Sequence, residues 1–199
     1  AKRGARALGI EYNPDMVELS KRSAAKEGVS GNANFAKADL FESDFSQATV
    51  ITMFLLPDIN LKLRPKILDL RPGTRIVSNT FTMGEWKEDE TVTAGDESSS
   101  YYRTARLWIV PAKVEGTWQF TQGELSLKQS FQMVTGTLKA GGNTPQTANG
   151  LLRGDQLTFS AGGAVYNGRV NGNRIEGSVK TGTTVADWSA TLRAGNPVS

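Results

Sequence analysis

The chain contains neither cysteine nor histidine. Without cysteine there are no disulfides, no thiolate zinc sites and no cysteine nucleophile. Without histidine there are no His–carboxylate metal sites, no Ser-His-Asp triad and no histidine general base. Few hydrolytic enzymes pass both filters. No apolar run approaches the roughly 18 residues that a membrane-spanning helix needs. The first residues, Ala1-Lys2-Arg3-Gly4-Ala5-Arg6, carry no initiator Met and no hydrophobic signal region, so they read as the interior of a longer sequence.

Charge of one sign is also scarce. Twenty-three Lys and Arg stand against 20 Asp and Glu, a net charge of +3. The two signs are interspersed rather than blocked, which describes a solvated mixed surface and not a nucleic-acid track. No nucleic-acid partner is expected. The length of 199 residues, 38% of them hydrophobic, supports one large domain or two small ones.

What is present divides near residue 111. Residues 1–6 are compatible with the last turn of a helix, its basic residues favoured by the dipole. Ala7–Glu11 reads as a buried strand ending on an acid. Asn13 is a good N-cap and Pro14 fits the first helical position, so a helix is predicted from Pro14 to about Glu27, closed by Gly28. Asn34–Asp39 is a second strand, again ending on an acid. Ala48–Leu55 is almost continuously apolar and β-branched, as expected of a central parallel strand covered on both faces. Leu56-Pro57-Asp58 breaks it, and a helix then runs through Leu61 and Leu68 that Pro65 is expected to divide. Arg75–Asn79 is the next strand. Residues 84–100 are polar and predicted to be loop. Tyr101–Val110 is a further strand, antiparallel and near the sheet edge. This alternation predicts an α/β Rossmann-like sheet.

From Pro111-Ala112-Lys113 onward the helix signals stop. Eight short alternating runs succeed them: Val114–Phe120, Glu124–Gln132, Val134–Lys139, Ala148–Arg153, Gln156–Ala161, Val165–Val170, Arg174–Lys180 and Ala186–Leu192. Turn dipeptides divide them, namely Gly141-Gly142, Gly154-Asp155, Gly162-Gly163 and Asn171-Gly172. Eight antiparallel strands escape exposed edges by closing into a small barrel. The expected organisation is an α/β domain over residues 1–111 and an all-β meander or barrel over 112–199. Gly116-Thr117-Trp118 resembles the Gly-x-Trp that opens lipocalin-like barrels, although a Trp closing a barrel end is more often structure than site.

The chemistry points to the first half. Glu11 and Asp39 each end a strand, and the strands are expected to be neighbours. Both acids would then face the crevice at the carboxyl ends of the sheet. A carboxylate there accepts both ribose hydroxyls. A second acid, one strand on, accepts an adenine amino group while the Leu40 N–H donates to a ring nitrogen.

These residues resemble a known family. Ala7-Leu8-Gly9-Ile10-Glu11-Tyr12-Asn13-Pro14 resembles the second motif of class I S-adenosylmethionine-dependent methyltransferases, and Ala38-Asp39-Leu40-Phe41 their third. Phe54-Leu55-Leu56-Pro57, with Leu61 to Pro65 and Leu70 to Ser78, resembles their fourth strand with its succeeding helix and strand. The resemblance covers residues 1–110, and the similarity is to bacterial methyltransferase-domain proteins, more distantly to the small seven-strand protein-lysine methyltransferases. It implies S-adenosyl-L-methionine as cofactor, with Glu11 on the ribose, Tyr12 beside the adenine, Asn13 in the same cofactor site, Asp39 and Leu40 on the adenine edge, and Phe54 and Leu55 beside the methyl donor. Leu56, Pro57, Thr80, Phe81 and Trp86 would rim the acceptor pocket. No catalytic base is evident. The family's catalysis is mostly placement, so missing His and Cys are no objection. The Asn/Asp-Pro-Pro-aromatic loop of amino-methylating nucleic-acid enzymes is absent, Phe-Leu-Leu-Pro standing in its place.

The family's acidic-Gly-x-Gly-x-Gly loop, whose backbone holds the methionine part of the cofactor, has no counterpart here, nor does the strand before it. The reading is therefore of an N-terminally truncated methyltransferase, impaired as it stands. Its sheet would have a gap beside the Glu11 strand, to be filled by another copy in a homo-oligomer. The acceptor is expected to be a protein lysine or a small molecule. Two other readings stay open. In one, the barrel binds a ligand or partner and the α/β part is a non-catalytic scaffold. In the other, an NAD-type dehydrogenase, an acid after the second strand also binds ribose, but Asp39 and Phe54–Pro57 fit less well. The cysteine-free, Gly/Thr/Asn-rich tail suits an exported or periplasmic protein.

Overall fold

A computed structural model describes residues 1–95, 102–121, 123–141 and 144–193. Gly142, the end of the predicted 84–100 loop and Tyr101 lie outside the described residues. The chain divides into two compact units, Ala1–Gln47 and Ala48–Ser199.

The first unit is a β-α-β element: β1 (Ala7–Glu11), α1 (Pro14–Lys26) and β2 (Ala33–Lys37). Residues 1–6 form no helix. The Gly4 N–H closes a turn on the Ala1 carbonyl at 2.9 Å, with Gly4 at φ 86°. β1 and β2 run parallel, pairing Gly9 with Phe35 and Glu11 with Lys37. The glycine of the Leu8-Gly9-Ile10-Glu11 motif is there for packing, since a Cβ on Gly9 would sit 2.6 Å from Phe35 Cδ1. The helix starts as its sequence dictates. Asn13 Oδ1 accepts from the Asp15 N–H at 2.9 Å and Pro14 takes the first turn. Val17 and Ala24 supply its buried face.

The second unit opens with a four-stranded sheet built from β3 (Val50–Met53), β4 (Arg75–Asn79), β5 (Glu90–Thr93) and β6 (Thr104–Ile109), ordered β3-β4-β6-β5. β3 and β4 are parallel; β6 is antiparallel to both of its neighbours. The helix α2 (Pro57–Leu68) buries Asn60, Leu63 and Ile67.

The structure corrects four expectations. β3 is an edge strand of this sheet rather than a central one covered on both faces, and Val50 is 44% exposed. The continuous apolar run could not reveal which face would find a partner. Pro57 begins α2 rather than only ending β3, and Pro65 sits inside an unbroken helix, at the cost of one backbone hydrogen bond. Part of the polar 84–100 stretch is strand β5, whose four residues are all exposed. It therefore carries no burial pattern, and its order comes from the β6 ladder. β6 consequently lies inside the sheet and β5 takes the edge.

Pro111–Lys113 leads into a closed barrel of eight antiparallel strands: β7 (Gly116–Phe120), β8 (Gly123–Ser130), β9 (Met133–Ala140), β10 (Gln146–Arg153), β11 (Gln156–Ala161), β12 (Ala164–Asn171), β13 (Arg174–Thr181) and β14 (Thr184–Leu192). β14 closes on β7 through Thr191–Gln119 and Leu192–Trp118. Eight strands leave an interior just wide enough for side chains to fill. Trp118, Leu125, Leu152, Leu157, Phe159 and Ile175 fill it, each no more than 1% exposed. The Trp118 indole N–H donates to the Val114 carbonyl at 2.8 Å, so this tryptophan is structure rather than site.

The barrel is tied to the sheet. Phe131, at φ 54° between β8 and β9, stacks on Trp86 with ring centroids 6.0 Å apart, and the Arg64 guanidinium lies 5.3 Å from the Phe131 ring centroid. Gln132 Nε2 donates to the Lys87 carbonyl at 2.8 Å. At Gly154 the chain turns at φ 62°, and a Cβ there would lie 3.0 Å from Gly73 Cα. The Ala112 N–H donates to the Gly154 carbonyl at 2.8 Å.

Candidate active site

In the first unit the two acids come to neighbouring strand ends. Glu11 is the last residue of β1, and the Ala38 N–H donates to its carbonyl at 3.1 Å. Asp39 stands two residues after β2. Both side chains are exposed. Each is held by a short local bond: Glu11 Oε1 accepts from the Asn13 N–H at 2.8 Å, and Asp39 Oδ1 from the Phe41 N–H at 2.7 Å. These bonds orient the carboxylates without burying them. Among the described residues no acceptor takes the Leu40 N–H. Tyr12 is 78% exposed, an aromatic face with little protein against it. Asn13 caps α1 through its side chain, which accepts from the Asp15 N–H, while its own N–H donates to Glu11. The fit to a nucleoside is therefore good: two aimed acceptors, a spare donor and an open ring.

In the second unit a separate cluster forms at the carboxyl ends of β3 and β4. Phe54 comes directly after β3, Phe81 two residues after β4, and Tyr102 two residues before β6. Because β6 is antiparallel to β4, with Asn79 opposite Ala105, the start of β6 lies at the same end. Phe54 and Phe81 stack at 5.9 Å, Phe54 and Tyr102 meet edge to face at 5.1 Å, and Phe81 and Tyr102 are 6.2 Å apart. Phe54 and Tyr102 remain 57% and 50% exposed.

Thr80 aims Phe81. It holds φ 64°, where a β-branched residue is an outlier, and the Phe81 N–H reaches back to the Asn79 carbonyl at 2.7 Å across a three-residue turn. The Thr80 hydroxyl donates to Asn79 Oδ1 at 2.9 Å, and Arg106 Nε donates to the Thr80 carbonyl at 2.9 Å. α2 steadies the next two residues of the loop. Asn60 Nδ2 donates to the Thr82 carbonyl at 3.2 Å and Arg64 Nη1 to the Met83 carbonyl at 2.9 Å. Backbone strain of this kind persists only where its surroundings over-determine it.

Two acids flank β5. Burial pushes the Glu88 carboxyl up, but its own backbone N–H and the Arg106 guanidinium, its ion-pair partner, prevail and hold it below the usual range. Burial raises the Asp89 carboxyl, although the Ile109 N–H donates to Asp89 Oδ2 at 2.7 Å. An open cavity of about 510 Å³ lies beside the cluster, lined by Thr52, Val77, Asn79, Ala105, Tyr102 and Arg103 among others.

Of the methyl-donor and acceptor-side residues named from sequence, Phe54, Phe81 and the strained Thr80 come together. Leu55 is half-buried, Leu56 is 62% exposed, and Pro57 belongs to the first turn of α2. Trp86 does not rim a pocket. It is fully buried, its carbonyl accepts the Trp108 indole N–H at 2.8 Å, and the barrel's Phe131 covers it. Burial by a residue so far along the chain left no local signal. Tyr102 was missed for the same reason, since only the β4–β6 pairing brings it to Phe54.

The ANTKMT methyltransferase domain matches residues 1–90. A protein-lysine N-methyltransferase of Saccharolobus islandicus (strain REY15A) is 37% identical over 106 residues, 53% of this chain and 65% of that protein. The adenine nucleotide translocase lysine N-methyltransferase of Mus musculus is 28% identical over 103 residues, 51% of this chain and 42% of that protein. The chain thus spans about two-fifths to two-thirds of the length of these relatives. A solved structure of an RNA methyltransferase from Salinibacter ruber, in complex with S-adenosyl-L-homocysteine, is 42% identical with a TM-score of 0.50, covering 56% of this chain and 69% of that one. The family match over residues 1–90 takes in the strand-end acids, Phe54 and Phe81, and the chain carries a class I S-adenosylmethionine-dependent methyltransferase domain.

Proposed function

We propose that the chain is the nucleoside-binding and acceptor-binding part of an S-adenosyl-L-methionine-dependent protein-lysine methyltransferase. The observation that carries this is the pair of exposed carboxylates, Glu11 and Asp39, on adjoining parallel strand ends with the spare Leu40 N–H beside them. Glu11 accepts the ribose hydroxyls. Asp39 accepts the adenine amino group. Tyr12 covers the base. The cofactor supplies a methyl group already activated on a sulfonium, so the protein's own task is to bind, orient and exclude water. The named relatives that act on lysine favour an amine acceptor.

The interior of the barrel is filled by side chains, so a partner would meet its outer surface. The reading in which the barrel alone carries the function makes the opposite demand on the acids, and one experiment separates the two.

S-adenosylhomocysteine is titrated calorimetrically into the polypeptide carrying a family glycine loop ahead of Ala1, and into its Glu11→Ala and Asp39→Ala variants. Binding is expected, weakened tenfold or more by each substitution, as befits loss of hydrogen bonds to a charged acceptor at about 1.5–3 kcal/mol. No binding by the extended protein, or equal binding by the variants, sinks the assignment.

A further inference from the structure

Three arginines are half-buried among the described residues: Arg64, Arg103 and Arg106. Two of them have protein acceptors. Arg64 Nη1 donates to the Met83 carbonyl at 2.9 Å, and Arg106 donates to the Thr80 carbonyl and pairs with Glu88. Arg103 makes no ion pair and no side-chain hydrogen bond among the described residues, and its Nη1 is a buried donor without an acceptor. A charged donor withheld from water and from protein acceptors is costly, so something outside the chain is needed to satisfy it.

The sheet fixes where Arg103 points. The Ala94 N–H donates to the Arg103 carbonyl at 3.1 Å, carrying the β5–β6 pairing one residue beyond Thr104. Side chains alternate along a strand, so Arg103 projects on the same face as Ala105. Ala105 is paired with Asn79, whose neighbour Ser78 faces Asn60 of α2. Arg103, Ala105 and Asn79 therefore share the face turned away from α2. There they line the open cavity of about 510 Å³, together with Thr52 and Val77.

That cavity is built for an anion. Arg103 is the one charged residue of its described lining. Asn79 Oδ1 already accepts from the Thr80 hydroxyl at 2.9 Å, so Asn79 presents its Nδ2 donor. The acids that flank and begin β5 are committed elsewhere: Glu88 to Arg106, Glu90 to Arg153, and Asp89 to the Ile109 N–H. Gly95 lies against the guanidinium without crowding it, since a Cβ there would stand 3.6 Å from Nη1.

We propose that this cavity is a carboxylate-binding site, with Arg103 as its receptor and Asn79 as a second donor. The planar guanidinium offers paired N–H groups at the spacing of a carboxylate's two oxygens. A phosphate dianion would leave a second charge uncompensated, because the described lining holds a single cation. The carboxylate comes from an acidic side chain of a polypeptide or from a small free acid. The cavity lies at the carboxyl ends of β3 and β4, so on the methyltransferase reading a polypeptide held there is an acceptor carrying an acidic residue. Arg103 itself needs no cofactor to bind.

The test uses the full 199-residue chain without cofactor. Nα-acetylglutamate methylamide and propionate are each titrated in by NMR, against their neutral amides, Nα-acetylglutamine methylamide and propionamide. At least one acid is expected to bind about fivefold tighter than its amide, or more, as a charge-assisted pair should. Whichever acid binds tighter names the source. Arg103→Gln and Arg103→Lys are expected to lose the preference, the lysine because it keeps the charge but not the fork. Arg103→Gln removes no protein contact, so its thermal midpoint without ligand is expected to be no lower than the parent's. Equal binding of acids and amides, no binding at all, or an unchanged preference in Arg103→Gln overturns the site. So does tighter binding of inorganic phosphate, or a lowered midpoint in Arg103→Gln. Asp96 and Glu97 follow Gly95 in the sequence, and Asp96→Asn/Glu97→Gln is expected to leave the preference unchanged. Acid binding that tightens fivefold in that variant would assign the guanidinium to the chain's own acids and overturn an outside ligand. The outcome is independent of the homocysteine titration: a failed carboxylate site leaves cofactor binding intact, and failed cofactor binding leaves the site.

Discussion

Phe131 of the barrel lies nearly flat on Trp86 of the sheet, their planes inclined by 11°. The two residues are far apart in sequence, and a tight turn at φ 54° delivers the phenylalanine to its place. Arg64, which lies over the Phe131 ring, also holds the Met83 carbonyl in the loop after β4. Barrel, helix and site-bearing loop thus share one contact.

Phe131→Ala is expected to destabilise the unit by about 2 kcal/mol, below the 3–5 kcal/mol of a fully buried phenylalanine because the ring is half-buried. Denaturant midpoints followed by tryptophan fluorescence measure it. A change within experimental scatter would show that the barrel does not brace Trp86.

Thr80→Val keeps the shape and the backbone strain but removes the hydroxyl that donates to Asn79 Oδ1. The expected loss is about 1 kcal/mol, the net value of one ordinary hydrogen bond. Thr80→Gly relieves the positive φ and is expected to unfold at a higher denaturant concentration than the valine variant. The reverse order would mean the turn is not strained.

Asp89 bears on pH dependence. Its carboxyl is raised in the folded protein, so its contribution to stability is fully present below its ordinary value of 3.8 and is lost as pH rises through the raised value. Asp89→Asn still offers an acceptor to the Ile109 N–H and carries no buried charge. The variant is expected to melt higher than the parent at pH 7, with the difference closing as pH falls below 3.8. Glu88 is shifted in the opposite direction, losing stability as pH falls through its lowered value, but it is present in both proteins and cancels. A difference that grows on acidification would contradict the assignment.

Local chemistry made much of the fold legible. Asn13 and Pro14 start α1 by capping and by a pre-set φ, both properties of a few adjacent residues. The eight barrel strands come from alternating burial between glycine turns, and the closed form from the need to leave no edge. Glu11 was legible as a strand-end acid, whereas the strand expected to end on Asp39 stops at Lys37 and leaves Asp39 in the turn that follows.

The sequence by itself therefore determined most of the segments that become strands and helices, and that Glu11 ends the first strand. Tertiary structure alone decided which of them meet. β5 exists because β6 offers it a ladder, Trp86 is buried because Phe131 arrives from the barrel, and Tyr102 reaches Phe54 only through the β4–β6 register. Such contacts depend on pairings between distant residues, which leave no periodicity or cap in the segments they join.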